Sequence, residues 1–157
     1  MRHKKVQKRQ AEIDKLYQST LVTKFINNLM KDGKKTVAQK VFYDSFKLLE
    51  AKEKNPLEIF ELAIQNVGPK TEVKARRVGG ANYQVPQEVR GERKTSLAIR
   101  WILEAARARS NKDYHAFSEK LAAEFLDASN NEGAAIKKRD SVLRMADANR
   151  AFGHFRF

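Results

Sequence analysis

Apolar residues recur at the spacing of one helix face in six stretches of the chain. In each stretch they are three or four positions apart, with charged and polar residues between them. The six patterns start at Leu21, Val37, Ile59, Leu97, Phe117 and Ile136. This periodicity predicts six amphipathic helices, because a helix completes a turn about every 3.6 residues.

The ends of two of these helices carry recognisable signals. Ser19 or Thr20 can cap the first helix, and Gly33 can close it in a left-handed turn. Asn55 is a suitable cap for the third helix, followed by Pro56 at the first helical position. Gly68-Pro69 ends the third helix, and the second and fourth are predicted over about residues 35–53 and 92–109.

Residues 70–90 interrupt the helical spacing. Residues 72–78 alternate small or apolar side chains with basic ones, Gly79 and Gly80 follow, and a second β-type run leads to Pro86. Two such runs around a Gly-Gly pair predict a β-hairpin, and its edges accommodate the proline. Since an isolated ribbon is marginally stable in water, we expect it to depend partly on a partner.

These elements predict a mainly α fold: a single-domain bundle of six helices with a protruding two-stranded β-hairpin arm between helices three and four. At 157 residues the chain can bury about 70% of its unfolded surface, and it contains no cysteine. Residues 1–157 are expected to form one domain. Its parts are a basic extended tail (1–18), the arm (70–90) and a carboxy-terminal tail (151–157).

The carboxy-terminal tail places Arg156 between two aromatic residues, Phe155 and Phe157. Such a segment can stack on exposed bases or dock on a neighbouring protein. The alternative is that the aromatic residues fold back and cover the bundle.

Charge is concentrated in two segments. The chain has 32 Lys and Arg against 19 Asp and Glu, a net charge of +13. Residues 1–35 contribute +7 and residues 70–110 contribute +6, whereas residues 36–69 contribute −1 and residues 111–157 contribute +1. A protein this basic attracts polyanions, with nucleic acid the first candidate and an anionic membrane the second. The alternative is a pair of solvated basic faces.

Two helices carry basic residues opposite their apolar side. On a helical wheel Lys24 and Lys31 lie about 20° apart, and Arg93, Arg100 and Arg107 fall within about 40° of one another. An arginine stripe can follow a phosphate backbone. The alternative is solubilising charge paired with Glu104.

Patterns of catalysis and of metal or cofactor binding are missing from the sequence. His3, His115 and His154 have no metal-ligand spacing, and neither a P-loop nor a dinucleotide fingerprint occurs. We therefore expect no enzyme activity and no cofactor. No stretch approaches the ~20 apolar residues of a membrane span, and no apolar segment follows the basic amino terminus. These features predict a soluble, intracellular protein with no membrane partner.

Two functions from different classes remain. One is a structural RNA-binding protein whose tail and ribbon enter a folded RNA. The other is a basic DNA-binding protein, either a helical regulator or an architectural ribbon protein. The irregular basic extensions favour RNA.

Several motifs resemble the bacterial small-subunit ribosomal protein family seven. The arm sequence VKARRVGGANYQVP at residues 73–86 is similar to the arm of that family. Gly33-Lys34-Lys35, with Val41-Phe42 and Ser45, resembles its amino-terminal signature. The runs NNEGAAIKKR at 130–139 and MADANRAF at 145–152 resemble its last helix. The resemblance extends from about Tyr17 to Phe157.

The resemblance implies a structural constituent of the small ribosomal subunit, located in the cytoplasm. It implies primary binding to the 3′ major domain of small-subunit ribosomal RNA, which nucleates assembly of the head. It also implies a position near the exit-site tRNA and the mRNA exit path, beside small-subunit protein families nine and eleven. The alternative that stays open is a non-ribosomal, basic architectural DNA- or RNA-binding protein.

Carried over by position, the resemblance and the charge pattern imply two sets of contacts. The residues expected to contact ribosomal RNA are Arg2, Lys4, Lys5, Lys8, Arg9, Lys24, Lys31, Lys34, Lys35, Arg76, Arg77, Arg93, Lys94, Arg100 and Arg107. The residues expected in the tRNA and mRNA exit-site region are Val78, Gly79, Gly80, Tyr83, Arg144, His154, Phe155, Arg156 and Phe157.

Overall fold

The computed structural model describes residues 11–51 and 55–155. Their elements are α1 (Thr20–Leu29), α2 (Lys35–Glu50), α3 (Pro56–Val67), β1 (Thr71–Val78), β2 (Ala81–Glu88), α4 (Gly91–Ala108), α5 (Phe117–Ser129), α6 (Gly133–Ala148) and a terminal 3₁₀ helix (Arg150–Phe155). The predicted mainly α fold, with a hairpin between helices three and four, is confirmed. Among the described residues, no helix is long and apolar enough to cross a membrane.

Five phenylalanine rings form the centre of the helical body. They come from α1, α2, α3 and α5, and all are fully buried: Phe25, Phe42, Phe46, Phe60 and Phe125. Ring centroids in contact are 4.3 Å (Phe42 to Phe46) to 6.3 Å (Phe42 to Phe125) apart. Most pairs meet edge-on or tilted, the arrangement that the ring quadrupoles favour. This cluster joins elements distant in sequence, so it determines how the body folds.

Helix α4 packs against α3, α5 and α6. The predicted face is buried at Leu97, Trp101 and Ile102. Ala108 is exposed, although its spacing of three from the buried Ala105 predicts that it lies on the same face. It is the last residue of α4, and the chain leaves the helix at Arg109.

The third helix begins as predicted, whereas the end of the first is different. The side chain of Asn55 accepts a hydrogen bond from the backbone N–H of Leu57 at 3.2 Å. Helix α1 ends at Leu29, so Gly33 does not close it. Gly33 (φ 71°) lies instead in the turn that leads into α2, directly after Asp32, whose φ is also positive at 53°. Because Lys31 lies in this turn, it is not on the helix face of Lys24.

A buried ion-pair network joins α4, α5 and α6. Glu124 is fully buried, and its Oε2 atom accepts a hydrogen bond of 2.6 Å from Nη2 of Arg109. Arg109 also pairs with Asp127, and the other Glu124 oxygen accepts from the backbone N–H of Ala135 at 3.1 Å. Burial acts to lower the pKa of Arg109, but the hydrogen bonds and charges of the two carboxylates outweigh it and raise that pKa. The charge pattern did not identify this network.

The arm is a regular antiparallel ribbon. Thr71 pairs with Glu88 at its base and Val78 with Ala81 at its tip. Gly79 and Gly80 form the turn at φ 57° and 88°, values that favour glycine over residues with a side chain.

The ribbon is supported by the chain itself. Both strands pack on α6, and β2 also packs on the terminal 3₁₀ helix. The Tyr83 ring lies 5.3 Å from that of Phe152 and 5.1 Å from that of Phe155. The expected dependence on a partner is thus met at least partly within the protein.

Residues 11–18, the second part of the predicted basic tail, lie against α2. The buried Asp14 carboxylate accepts hydrogen bonds from the backbone N–H groups of Leu16 and Tyr17 and from the hydroxyl of Tyr43, the last at 2.7 Å. Burial, together with this hydrogen bond, raises the pKa of Tyr43 to about 12. Residues 1–10 of the tail lie outside the described residues.

Candidate nucleic-acid interface

The predicted arginine stripe of α4 lies at the surface. Arg93, Arg100 and Arg107 are all exposed. Nη2 of Arg93 forms an ion pair with Oε2 of Glu72 on β1 at 3.2 Å. Within the described residues, neither Arg100 nor Arg107 forms an ion pair, and Glu104 pairs with none of the three. The stripe therefore has two cations available to an external anion and one already engaged with the arm.

A groove brings the end of the stripe next to the α1–α2 turn. Arg107, Lys31 and Lys34 all line it, and its volume is about 390 Å³. The floor is apolar, formed by side chains such as Val37 and Val41 of α2. Three predicted RNA contacts from separate parts of the sequence thus meet at one place.

Lys24 and Lys35 are exposed on α1 and α2, as predicted. Lys94 differs, because it is half-buried and the stem of its side chain lies over the end of α3. A Cβ atom on Gly68 would come within 2.6 Å of Cγ of Lys94, so the glycine makes room for this stem. Only the end of the Lys94 side chain can face a ligand.

Arg76 and Arg77 do not act as one pair. Successive strand residues point to opposite faces of a ribbon, so the two arginines are on different sides. Arg76 is half-buried and pairs in register with Tyr83, on the face that meets the terminal 3₁₀ helix. Arg77 is exposed on the other face, opposite Asn82. Arg77 is therefore the better candidate for a nucleic-acid contact.

The base of the arm contains two cations that the sequence analysis did not include. Lys74 and Arg90 line a depression together with Arg93 and Glu72. Nζ of Lys74 lies 3.5 Å from Oε1 of Glu72, so one carboxylate is shared between Lys74 and Arg93. The alternation of charge along β1 was a signal for Lys74. Arg90 is the residue before α4, and its position became visible only with the fold.

Six of the predicted exit-site residues lie at the arm tip and the terminal 3₁₀ helix: Val78, Gly79, Gly80, Tyr83, His154 and Phe155. Gly79 and Gly80 are exposed at the tip, with Val78 half-buried beside them. Tyr83, His154 and Phe155 come together, with the His154 and Phe155 ring centroids 4.0 Å apart. Phe152 completes this cluster and was missed, although its spacing of three from Phe155 suits one helical turn.

Arg144 is exposed on α6, where its Nε atom donates to the carbonyl of Asp140 at 3.4 Å. Phe155 folds back, as the alternative for the carboxy-terminal tail had it, and its ring packs against Tyr83 of the arm. The remaining predicted contacts lie outside the described residues: Arg2, Lys4, Lys5, Lys8, Arg9, Arg156 and Phe157.

In the described part of the chain the arrangement offers exposed cations and half-buried rings. No group of three or more His, Cys, Asp or Glu side chains in residues 11–51 and 55–155 could hold a metal ion. The fold and this surface define a helical protein with a ribbon arm and a cationic face suited to a polyanion such as RNA.

The comparisons with known proteins give the family. The profile of the family described as ribosomal protein S7p/S5e matches residues 1–150. The chain belongs to this family. Its members are structural ribosomal proteins and not enzymes, as the sequence predicted.

Similar proteins cover nearly the whole chain, and each is called small ribosomal subunit protein uS7. The protein from Moorella thermoacetica is 54% identical over 157 residues, 99% of both chains. The one from Clostridium acetobutylicum is 56% identical over 153 residues, 97% of this chain and 96% of its own. Lactococcus lactis contains one that is 51% identical over 158 residues and the full length of both. The family supports a ribosomal protein of the small subunit over the non-ribosomal alternative.

Proposed function

We propose that the whole chain is one RNA-binding domain that binds the 3′ major domain of small-subunit ribosomal RNA and nucleates assembly of the head. The observation that carries this proposal is the set of exposed cations at the α1–α2 turn and along α4, with Arg100, Arg107, Lys31 and Lys34 unpaired among the described residues. Phosphates are the ligands that such a surface attracts. In bacteria, this function places the protein in the cytoplasm as part of the ribosome.

Footprinting on deproteinised small-subunit RNA tests the proposal. We expect protection confined to the 3′ major domain. Affinity should fall with salt with a log–log slope of roughly −0.7 to −0.9 per phosphate contact. The specific RNA should still outcompete bulk RNA at moderate salt. Equal affinity for random duplex DNA would contradict the proposal and favour the architectural alternative.

A matched pair of double variants separates a fixed surface from charge alone. Arg100→Ala with Arg107→Ala removes two unpaired cations, and Lys47→Ala with Lys112→Ala removes two charges elsewhere. The first double variant should lose affinity for the RNA by at least about a hundredfold, since hydrogen bonds to charged groups are worth about 1.5–3 kcal/mol each. The second should lose much less. Equal losses would mean that only net charge matters.

The arm tip and the terminal residues are proposed to face the exit-site tRNA and the mRNA exit path, with protein families nine and eleven as neighbours. Their support is the exposed turn at Gly79 and Gly80 and the half-exposed rings of Tyr83 and Phe155. The absence of cysteine makes a directed test simple. Ala81→Cys at the tip and Ala51→Cys on the body each provide one attachment point for a tethered iron chelate, which cleaves nearby RNA. In assembled subunits the tip variant should cleave exit-site tRNA and the body variant should not.

A further inference from the structure

The groove at the end of the arginine stripe has an apolar lining, which phosphate contacts alone do not require. Its floor and walls are formed by the apolar side chains of Leu29, Val37, Val41 and Phe117. Val37 is 57% exposed, although it stands in the apolar pattern of α2. A volume of about 390 Å³ is within the range of small-ligand sites, which starts near ~300 Å³. The groove can therefore take a flat apolar group as well as an anion.

Its rim is cationic. Lys31, Lys34 and Arg107 surround the floor, and Asp32 is the acidic residue among the lining residues. Within the described part of the chain, none of the three cations forms an ion pair, either with Asp32 or with another carboxylate. The groove thus combines an apolar floor with an excess of positive charge at its edge.

We propose that this groove holds one unpaired nucleotide of the bound RNA, with its base on the apolar floor and its phosphate against Lys31, Lys34 and Arg107. The inference rests on the proposed RNA-binding function. An unpaired nucleotide presents both a flat, weakly polar ring and an anion, and RNA loops and bulges extrude such bases onto protein side chains. A paired base in a duplex stays stacked and cannot enter.

Two other surface grooves in the described residues lack this combination. The groove beside Leu21 and Ile64 has Lys94 as its cation and Glu61 beside it. The groove beside Ile13 and Leu16 has Lys15 and Lys35 balanced by Glu12 and Asp14. The groove beside Arg107 has three cations against one carboxylate, which favours a phosphate-bearing occupant over an apolar protein segment.

The test compares Val37→Glu with Leu62→Glu. Each replaces an exposed apolar residue with a carboxylate, so the change in charge is the same. Val37 lines the groove on α2, whereas Leu62 lies on α3 and is not among the residues that line it. Circular dichroism should show both variants folded. The RNA is a transcript of the 3′ major domain, and base-selective chemical probing reports each unpaired base.

We expect wild type and Leu62→Glu to protect one unpaired base that Val37→Glu leaves reactive. The affinity of Val37→Glu should be about tenfold below that of Leu62→Glu, because stacking of one base is worth about 1–3 kcal/mol. Arg107→Ala should weaken binding while leaving the floor intact, which separates the phosphate contact from the base contact.

The same affinity and the same protection pattern for Val37→Glu and Leu62→Glu would overturn the nucleotide site. A Val37→Glu variant that binds RNA normally but fails to retain another small-subunit protein in reconstituted particles would also overturn it, since the occupant is then a protein. If wild type does not prefer the 3′ major domain over unrelated RNA, the proposed function fails. The groove is then judged by the same two variants on the RNA that does bind.

Discussion

Aromatic rings cluster in both the body and the arm of this protein, at similar distances but in different surroundings. In the body, five phenylalanine rings are fully buried, with centroids 4.3–6.3 Å apart. At the arm, the rings of Tyr83, Phe152 and Phe155 are 5.1–6.5 Å apart, and all three are half-buried. The ring contacts are alike, but only the body removes the rings from water.

Burial is what converts ring contacts into stability, since the hydrophobic free energy scales with the area taken from water. The body cluster therefore determines whether the chain folds. The arm cluster fixes how the ribbon is oriented on the terminal 3₁₀ helix and adds little to the global free energy of unfolding. Five experiments test this difference.

The largest effect is expected from truncating a ring in the body. Phe125→Ala should lower the free energy of unfolding by about 3–5 kcal/mol, because it leaves a cavity among rings from four helices. Phe155→Ala is the matched control in the arm, and it should cost less than about 1.5 kcal/mol. Denaturant titration measures both, and similar losses would contradict the distinction between the clusters.

Breaking an ion pair should also lower the free energy of unfolding more in the body than at the arm. Glu124→Ala should cost about 3–5 kcal/mol, because it leaves Arg109 in a largely buried site with Asp127 as its remaining carboxylate. Glu72→Ala at the arm base should cost about 1 kcal/mol or less, since its partner Arg93 has a half-exposed side chain. A Glu72→Ala loss as large as that of Glu124→Ala would place the arm base in the folding core.

A third, smaller effect concerns residues 11–18, which the hydrogen bond between Tyr43 and Asp14 helps to hold on the body. Tyr43→Phe removes the hydrogen bond to Asp14 and should cost about 1 kcal/mol at neutral pH. The pKa of Tyr43 is about 12 in the folded protein, against 10.0 for an ordinary tyrosine. Since the folded pKa is the higher one, this contribution is present below pH 10 and is lost as the pH rises towards 12.

The corresponding measurement is denaturant titration of wild type and Tyr43→Phe between neutral pH and pH 12. The two stabilities should converge at the alkaline end. A constant difference across this range would mean that Tyr43 does not titrate with the predicted shift.

Tyr83→Ala should loosen the arm and leave the body unchanged. Hydrogen exchange of the β1 and β2 amides should become at least several times faster, while the amides of α2 and α5 exchange as in wild type, because the arm opens independently of the body. The global stability should fall by less than about 1 kcal/mol. Faster exchange throughout the body would show that the arm and the core unfold together.

The smallest effect is expected at the tip. Replacing residues 78–82 with a short Gly/Ser turn should leave the helical circular dichroism and the melting temperature nearly unchanged, since the turn glycines have no atoms near a position for Cβ. The charge reversal Arg77→Glu should weaken RNA binding more than Arg76→Glu, because Arg77 is on the exposed face. A loss of several kcal/mol from the tip replacement would contradict an arm that serves binding.

The sequence predicted those features that depend on neighbouring residues. Helical spacing, the Asn55 cap and the Gly79–Gly80 turn are local, so six helices and one hairpin were predicted with nearly correct ends. The rule that a glycine closes a helix failed at the end of α1. A glycine with positive φ suits a turn into the next helix as well as a helix end, and Gly33 lies in such a turn. Residues near a predicted helix end, such as Lys31, were placed on the wrong element for that reason.

Lists of basic residues were predictable, but which of them share a surface was not. Helical spacing selected Arg107 and Lys31, and the family resemblance selected Lys34. The packing of α4 beside the α1–α2 turn placed the three around one groove. Likewise, Arg76 and Arg77 were neighbours in sequence, and the ribbon separated them. The sequence by itself determined the elements, the charge and the family, because these depend on local pattern and on residue identity. Only the tertiary structure decided which cations are paired, which rings are buried and where the groove lies, because those depend on contacts between residues far apart in the chain.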